Sequence, residues 1–218
     1  MTEIKAIVTA GGSSSRFGGT NKLLSLLRGK PVIQYSVDLF TEMGFEVIIP
    51  ANKSAIPDYE SLFKNYSNVK ITEGGSSRQN SIKKALDTIS ECSLVIIHDA
   101  ARPLIKKEVI QNCIEAAKKY GGAIAAVKTV DTIKEVSADK MIIKSLNREN
   151  LINVQTPQVF DFLKIKELHQ KYSDKTFTDD SLLFETEREN VYFVESDYSN
   201  IKITTSVDLK LAELLLEQ

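Results

Sequence analysis

Short apolar runs alternate with longer segments of helical periodicity over the first two-thirds of the chain. Five runs rich in Val and Ile predict strands. Most of them are continuously apolar instead of alternating, which is typical of strands buried on both faces of a mainly parallel sheet. The five runs are Ile4–Thr9, Phe45–Ile49, Val69–Thr72, Leu94–His98 and Ala123–Val127.

The segments between these runs carry apolar residues at the i, i+3, i+4, i+7 spacing of a helix that faces a core. We interpret these stripes as core and assign them no chemistry. The four stripes are Ile33, Val37 and Phe40; Tyr59, Leu62, Phe63 and Tyr66; Ile82, Ala85, Leu86 and Ile89; and Ile105, Val109, Cys113, Ala116 and Tyr120.

This alternation of strands and helices predicts right-handed crossovers and an α/β fold. We expect a Rossmann-like, doubly wound, mainly parallel sheet in a three-layer sandwich. Ligands of such folds bind outside the carboxyl ends of the strands. Functional residues are therefore sought in the loops after Thr9, Thr72, His98 and Val127.

The pattern breaks after Val130. The segment from Asp131 to Asn153 is polar and has no helix-length apolar stripe, and apolar residues flank a hairpin-like turn at 137–140. We predict a protruding β-arm at about 131–153. An isolated hairpin is marginally stable, so either a partner subunit packs against the arm, making a homodimer, or the arm is a loose surface excursion.

Beyond the arm the pattern resumes, and we find no internal repeat, low-complexity tract or linker. We therefore predict one domain over residues 1–218, with the arm inserted in it. The further predicted elements are strand Val154–Phe160, a helix near Asp161–Tyr172, strands Val191–Val194 and Ile201–Ile203, and a Leu-rich final helix from Ser206.

The composition is that of an ordinary globular protein. The net charge of −1 supplies no bulk basic field for nucleic acid. The only cysteines, Cys92 and Cys113, form no C-x-x-C pair and suit a reducing compartment. No apolar stretch approaches the ~20 residues that cross a bilayer, and no signal peptide precedes the first strand. We expect a cytoplasmic protein without nucleic-acid or membrane partners.

The loop after the first strand is the most informative stretch. Residues 9–22 are crowded with Gly and Ser and end in two cations, Arg16 and Lys22. Converging backbone N–H groups and cations are what a phosphate-rich ligand requires. The spacing matches neither a dinucleotide fingerprint nor a Walker loop. A-G-G-x-x-x-R-F-G…N-K resembles the signature loop of sugar-phosphate nucleotidyltransferases and related branches, including the molybdopterin nucleotidyltransferases.

His98-Asp99-Ala100-Ala101-Arg102-Pro103 follows the fourth predicted strand. By itself this segment is either a strand-ending turn with a surface ion pair or an acid and a cation that serve phosphates. Together with the first loop it resembles the 2-C-methyl-D-erythritol 4-phosphate cytidylyltransferases of the non-mevalonate isoprenoid pathway. The related ribitol-5-phosphate enzymes tend to carry Ser-Val in place of Ala100-Ala101.

The resemblance continues over nearly the whole chain. The first loop departs from the family's usual Pro-Ala-Ala-Gly, because here it begins Thr9-Ala10-Gly11-Gly12; backbone donors are unaffected. The further matching segments are Glu73–Ser81, Val130–Lys134, Asn147-Arg148, Gln155–Gln158, Phe177–Asp180 and Asn200–Thr204.

The resemblance implies a single nucleotidyltransferase domain that acts as a cytidylyltransferase. It would use CTP and a small sugar or polyol phosphate, with Mg²⁺ or another divalent cation held mainly on the CTP phosphates. Asp99 is a candidate metal ligand. The implied catalytic cations are Arg16, Lys22, Arg148 and Lys202. The implied substrate-binding residues are Ala10, Gly11, Gly12, Gly75, Arg78, Ser81, Asp99, Ala100, Arg102, Thr132, Thr156 and Thr178.

Two alternatives remain open at this point: a cytidylyltransferase for ribitol 5-phosphate or another polyol phosphate, and a non-catalytic nucleotide-binding module. The chain has two histidines. We interpret His98 as a strand-end hydrogen-bonding residue and His169 as a helix-surface residue.

Overall fold

A seven-stranded sheet forms the centre of the protein. The computed structural model describes residues 3–11 and 21–217. The strands of the sheet are β1 (Ile4–Thr9), β4 (Glu46–Ala51), β5 (Val69–Glu73), β6 (Leu94–Asp99), β7 (Gly122–Lys128), β10 (Ile152–Asp161) and β11 (Tyr192–Glu195). Their order in the sheet is β11-β7-β10-β6-β1-β4-β5.

The sheet is parallel except for one strand. β10 runs antiparallel to both of its neighbours, β6 and β7, whereas the remaining pairs are parallel. The start of β10 therefore lies at the edge where the parallel strands end. The prediction of a mainly parallel α/β sheet is confirmed.

Helices cover both faces of the sheet, as the amphipathic stripes predict. One face packs against α1 (Val32–Glu42), α2 (Ile56–Leu62), α4 (Lys107–Tyr120) and α7 (Ser206–Leu215). The other packs against α3 (Arg78–Asp87), α5 (Phe162–Lys171) and α6 (Ser181–Thr186). No helix among the described residues is both long and apolar enough to cross a bilayer.

Local signals fix the ends of several helices. Side chains accept hydrogen bonds from first-turn backbone N–H groups at Ser77 for α3, Asp161 for α5 and Thr205 for α7. Such caps satisfy donors that have no partner within the helix. Gly121 ends α4 with a φ of 85°, a conformation in which glycine is favoured because it lacks a Cβ.

Two predicted elements differ from the structure, and two further elements have no counterpart in the predictions. The apolar stripe ending at Tyr66 outruns α2, which ends at Leu62. The predicted strand Ile201–Ile203 is irregular, held to the loop after β6 by the Ile203 N–H to Ala101 carbonyl bond. The short α6 and the small hairpin of β2 (Leu26–Leu27) and β3 (Lys30–Pro31) were not predicted.

The segment predicted as an arm contains a β-hairpin. Strand β8 (Lys134–Val136) pairs antiparallel with β9 (Ile142–Ser145) in a separate two-stranded sheet. All of its strand residues are exposed. Apolar side chains are among the exposed groups of the hairpin: 55% of Val136, 69% of Met141 and 65% of Ile142 is exposed.

Candidate active site

The carboxylate of Asp99 is the centre of the charged groups at the carboxyl edge of the sheet. Asp99 ends β6 and is 7% exposed. Lys202 Nζ lies 2.6 Å from its Oδ2, Arg78 Nε lies 3.4 Å from its Oδ1, and Thr9 Oγ1 donates to Oδ1 at 3.3 Å. Segments distant in sequence therefore meet at one carboxylate.

Neighbouring cations keep Asp99 ionised although it is buried. Burial alone would raise its pKa, but the charges of Arg78 and Lys202 outweigh that effect and hold the pKa well below its usual range. The surroundings of this carboxylate are thus rich in positive charge, which suits a polyanionic ligand.

A second buried carboxylate holds Arg78 in place. Arg78 Nη1 donates to Asp180 Oδ2 at 2.7 Å, and His169 Nε2 lies 2.9 Å from Asp180 Oδ1. Burial would raise the pKa of Asp180, but the charge of Arg78 and the hydrogen bond from His169 lower it. His169 is 1% exposed, so the prediction that it lies on a helix surface is wrong; α5 turns it inward, one turn after Ile165.

His98 lies directly beneath this edge. It is fully buried, and burial lowers its pKa to about 4, so its imidazole is neutral near pH 7. Its Nε2 lies 3.1 Å from the Arg102 carbonyl oxygen, and its Nδ1 lies 3.2 Å from Thr156 Oγ1. The prediction of a strand-end hydrogen-bonding residue is confirmed.

Arg102 and Asn200 link the segment that carries Lys202 to the rest of the site. Arg102 Nη1 donates to the Asn200 carbonyl oxygen at 2.7 Å. Asn200 Nδ2 donates to Gln155 Oε1 at 2.8 Å and to the Thr156 carbonyl oxygen at 3.0 Å. These bonds hold an irregular segment outside the sheet, and so place Lys202 two residues later.

The glycine-rich loop after β5 closes tightly onto the start of α3. The Gly75 N–H donates to Ser81 Oγ at 2.9 Å, and Ser81 Oγ donates to the Ser77 carbonyl oxygen at 2.8 Å. A Cβ on Gly75 would lie 1.9 Å from Asn80 Oδ1. Any larger residue at position 75 would therefore require Asn80 to move.

Two small cavities open along this edge and share Arg78, Asp99 and Lys202. Cavity A has a volume of about 180 Å³ and is also lined by Arg102, Val154, Gln155, Thr156, Gln158, Thr178 and Asp179. Cavity B has a volume of about 60 Å³ and is also lined by Thr9, Gly11, Lys22, Leu23 and Ala101.

A larger cavity, of about 750 Å³, lies at the amino ends of β1, β4 and β5, beside Glu3, Phe45 and Val69. Ligands of doubly wound sheets bind at the opposite edge. The charged groups also converge at that opposite edge, so cavities A and B form the candidate site.

Most of the predicted site residues that the structure describes meet at these cavities. Of the predicted residues, Gly11, Lys22, Arg78, Asp99, Arg102, Thr156, Thr178 and Lys202 line cavity A or cavity B. Ala10 and Ala100 are buried next to them, and Ala10 bridges to Ala51. Gly75 and Ser81 form the turn before α3.

The arm residues are placed elsewhere. Thr132 and Arg148 are exposed and are not among the described residues that line cavities A and B. Arg148 Nη1 donates to the Val130 carbonyl oxygen at 2.7 Å, at the base of the arm. The predicted site residues Gly12 and Arg16 lie outside the described residues.

The donor set limits how a metal ion can be held. The residues 3–11 and 21–217 contain no group of three or more His, Cys, Asp or Glu side chains that could hold one. Within those ranges, Asp99 is the one carboxylate that both cavities share. This arrangement fits Mg²⁺ bound through a single carboxylate plus substrate phosphates, as is usual for Mg²⁺ with nucleotides.

Known proteins resemble this chain over its whole length. The family model described as "IspD: 2-C-methyl-D-erythritol 4-phosphate cytidylyltransferase" matches residues 4–218. The protein of that name from Dehalococcoides mccartyi is 38% identical over 221 residues, which is 99% of this chain and 97% of the relative. The one from Clostridium acetobutylicum is 39% identical over 222 residues, 98% of this chain and 97% of the relative.

Solved structures agree. The crystal structure of 4-diphosphocytidyl-2C-methyl-D-erythritol synthase from Anaerococcus prevotii matches with a TM-score of 0.90 at 31% identity, covering 100% of this chain and 97% of that one. The 2-C-methyl-D-erythritol 4-phosphate cytidylyltransferase of Thermus thermophilus matches with a TM-score of 0.83 at 26% identity, covering 99% and 100%. With the resemblance of its motifs thus confirmed, this chain belongs to the 2-C-methyl-D-erythritol 4-phosphate cytidylyltransferase family.

Proposed function

We propose that this protein transfers CMP from CTP to 2-C-methyl-D-erythritol 4-phosphate, giving 4-diphosphocytidyl-2-C-methyl-D-erythritol and pyrophosphate. The family match over residues 4–218 carries the proposal. The same match favours this acceptor over ribitol 5-phosphate. A non-catalytic nucleotide-binding module is disfavoured because the cations that the reaction needs, among them Lys22 and Lys202, are present at the site.

The two cavities divide the substrates between them. Cavity B is lined by Gly11 and Lys22, at the two ends of the first glycine-rich loop, so we assign the CTP phosphates to it. Arg16 is assigned to the same phosphates on the family resemblance alone. Cavity A takes the acceptor, with Arg102 and Thr178 at its wall. Lys202 lines both cavities, so we assign it to the point where the acceptor phosphate would meet the α-phosphorus of CTP.

The chemistry is a phosphoryl-type transfer. An oxygen of the acceptor phosphate forms a bond to the α-phosphorus, and the bond from that phosphorus to the bridging oxygen breaks, so pyrophosphate leaves with the electron pair. A phosphate monoester is mostly ionised near neutral pH because its second pKa is about 6. The nucleophile therefore needs no general base, and catalysis consists of positioning and electrostatic stabilisation.

The side chains have separate tasks in this scheme. Arg16 and Lys22 stabilise charge on the α-phosphate and on the leaving pyrophosphate. Lys202 and Arg148 position the acceptor phosphate. Lys202 is held by Asp99 at 2.6 Å, and an incoming dianion competes with that carboxylate for the ammonium group.

The base and the remaining substrate groups are bound mainly by backbone and hydroxyl donors. Ala10, Gly11 and Gly12 supply backbone donors to the CTP phosphates, and the turn formed by Gly75 and Ser81 faces the base. Asp99, Ala100, Arg102 and Thr132 bind the acceptor or the phosphates, and Thr156 lines cavity A. Mg²⁺ bound to the CTP phosphates, with Asp99 as a protein ligand, would neutralise charge on the triphosphate.

The arm supports a homodimer with a shared site. Its exposed Val136, Met141 and Ile142 form an apolar surface of the kind that marks an interface. Arg148 and Thr132 lie on this segment and are not among the described residues that line the cavities of their own chain. We infer that they reach the cavities of a second copy.

Pyrophosphate release tests the reaction. The protein is supplied with CTP and Mg²⁺ and, separately, 2-C-methyl-D-erythritol 4-phosphate, ribitol 5-phosphate or no acceptor. We expect release only with the erythritol phosphate. Release mainly with ribitol phosphate would keep the mechanism and overturn the acceptor, and release with neither would overturn the proposed function.

Hybrid dimers test the shared site. Lys22→Ala and Arg148→Ala should each be nearly inactive, and a mixture of the two should regain activity, because one of the hybrid's two sites receives both intact residues. Exchange of subunits is followed with differently tagged chains. Exchange without recovery of activity would contradict completion of the site by the second copy.

The compartment follows from the thiols. Cys92 and Cys113 are both free and buried, and unpaired cysteines suit a reducing environment. We therefore propose that the protein is cytoplasmic.

A further inference from the structure

His98 touches two segments that supply side chains to the candidate site. It lies in β6, one residue before Asp99, and it contacts Thr156 near the start of β10 and the backbone of Arg102. We infer that His98 is a positioning residue for the transfer reaction: its buried imidazole fixes the loop that carries Asp99 and Arg102 against the segment that carries Thr156. This inference rests on the proposed function.

The directions of the hydrogen bonds follow from the partners. The carbonyl oxygen of Arg102 can only accept, so Nε2 of His98 carries the proton. In the neutral ring Nδ1 is then an acceptor, and the Thr156 hydroxyl donates to it. The same hydroxyl oxygen accepts from the Asp99 N–H at 3.0 Å. A single chain of bonds therefore runs from Asp99 through Thr156 and His98 to Arg102.

This chain gives Thr156 a specific task. Its one hydroxyl proton points to His98, and 4% of the residue is exposed. Thr156 therefore acts on the reaction by holding the backbone of Asp99, and His98 sets the direction of that hydroxyl. The carboxylate of Asp99 in turn holds Lys202 and Arg78. A rotation of the Thr156 hydroxyl would therefore alter the position of Asp99 and, with it, the positions of both cations.

The two hydrogen bonds of the His98 ring differ in whether the partner atom has another bond. The carbonyl oxygen of Arg102 also accepts from Ser36 Oγ at 3.3 Å, so it keeps a partner when His98 Nε2 is removed. The Thr156 hydroxyl depends on His98 Nδ1 as its acceptor. Loss of the Nδ1 contact should therefore disturb the site more than loss of the Nε2 contact.

Two substitutions separate the contacts. Asparagine places its amide oxygen near the position of Nδ1, and glutamine places its amide group near that of Nε2. We expect His98→Gln to lower kcat by about tenfold to 10²-fold, in line with a small misplacement of reacting groups. His98→Asn should lower kcat clearly less. Both variants should change kcat more than the KM for CTP, because Gly11 and Lys22 of cavity B lie outside this chain of bonds.

A matched control separates positioning from general destabilisation. Ile114→Val trims one methyl group from a buried side chain of α4 and should leave kcat unchanged. Equal kcat values for His98→Gln, His98→Asn and the unaltered protein would overturn the inference. So would a loss of activity in the Asn variant as large as that in the Gln variant.

Nitrogen-15 NMR tests the two hydrogen bonds of the His98 ring without a measurement of activity. The chain has two histidines, and the His98→Asn variant identifies the signals of His98 by their absence. We expect a neutral ring protonated at Nε2 and unprotonated at Nδ1 at pH 7. A ring protonated at Nδ1 would overturn the inference, even if the pyrophosphate assay had already refuted the proposed reaction.

Discussion

Replacing Asp180 with asparagine removes a buried negative charge and keeps the size of the side chain. The carboxylate is 2% exposed and binds Arg78 at 2.7 Å and His169 at 2.9 Å. In the variant Arg78 keeps Asp99 as an ionic partner, at 3.4 Å. The substitution therefore tests how much this buried cluster contributes to stability.

The expected loss is about 3 kcal/mol of unfolding free energy. Removing one partner of a buried ion pair typically costs about 3–5 kcal/mol, because the other charge is left uncompensated. Arg78 retains Asp99, and 27% of its side chain is exposed, so the lower end of that range applies. For a chain of this size about 3 kcal/mol corresponds to a fall in Tm of about 6–12 °C.

The pH of the measurement follows from the sign of the shift. The pKa of Asp180 is lower in the folded protein than in the unfolded chain. Its contribution is therefore complete above the unfolded value of about 3.9 and is lost as the pH falls through the folded pKa. The difference between the two proteins is measured in full at pH 7 and should shrink in acid.

Urea unfolding followed by far-UV circular dichroism is the suitable assay, because the chain has no Trp. Protein concentration is held constant, since a dimer would make stability depend on it. Asp174→Asn removes an exposed carboxylate from the same loop and serves as the control. A loss of less than about 1 kcal/mol, the range of surface pairs, would refute the stabilising role of the cluster.

Further expectations concern the cations, the glycine-rich turn and the thiols. Lys22→Ala should lower kcat by about 10²-fold or more, because it removes a preorganised charge from cavity B; near-normal pyrophosphate release would remove Lys22 from the mechanism. Gly75→Ala places a Cβ 1.9 Å from Asn80 Oδ1 and should raise the KM for CTP more than it lowers kcat, whereas an unchanged KM would show that the turn does not hold CTP. Burial raises the pKa of Cys92 and of Cys113 to about 12, so iodoacetamide at pH 8 should modify neither thiol in the folded protein and both after denaturation. Rapid labelling of the native protein would contradict this.

The strands could be located from the sequence because burial on both faces makes them continuously apolar. The pattern predicts Ile4–Thr9 with its observed bounds, and the other parallel strands to within one or two residues. It also predicts the strand Val154–Phe160, but not its direction. Both faces of a central strand are buried whichever way it runs, so its pattern carries no information about orientation.

The apolar spacing predicts a longer helix and an additional strand at places where buried residues lie outside regular secondary structure. Phe63 and Tyr66 extend the stripe of α2 but lie in the turn after it, where their rings pack edge to face at 5.2 Å. Ile203 is fully buried without being in a strand. Burial of an apolar side chain shows that the residue faces the core. It does not show that the backbone makes the hydrogen bonds of a helix or a strand.

The loops and cations that line the two cavities can be predicted from the sequence, whereas the buried hydrogen bonds and ion pairs that hold them cannot. Gly-rich loops and cations indicate a phosphate site through their residue types. Asp180 and His169 resemble surface residues in the sequence, because polar side chains are usually exposed. The spacing of His169 from Ile165, one helical turn, was the available sign that it faces inward.

Because β10 runs antiparallel to β7, the arm could be removed from the chain without a change in the sheet. Lys128 at the end of β7 pairs directly with Ile152 at the start of β10, and paired residues of antiparallel strands have Cα atoms about 5 Å apart. The segment 129–151 thus leaves and rejoins the sheet at one point, so a turn of about two to five residues could replace it. Insertions and deletions in the arm would change its length and contacts while the register of the sheet stays fixed.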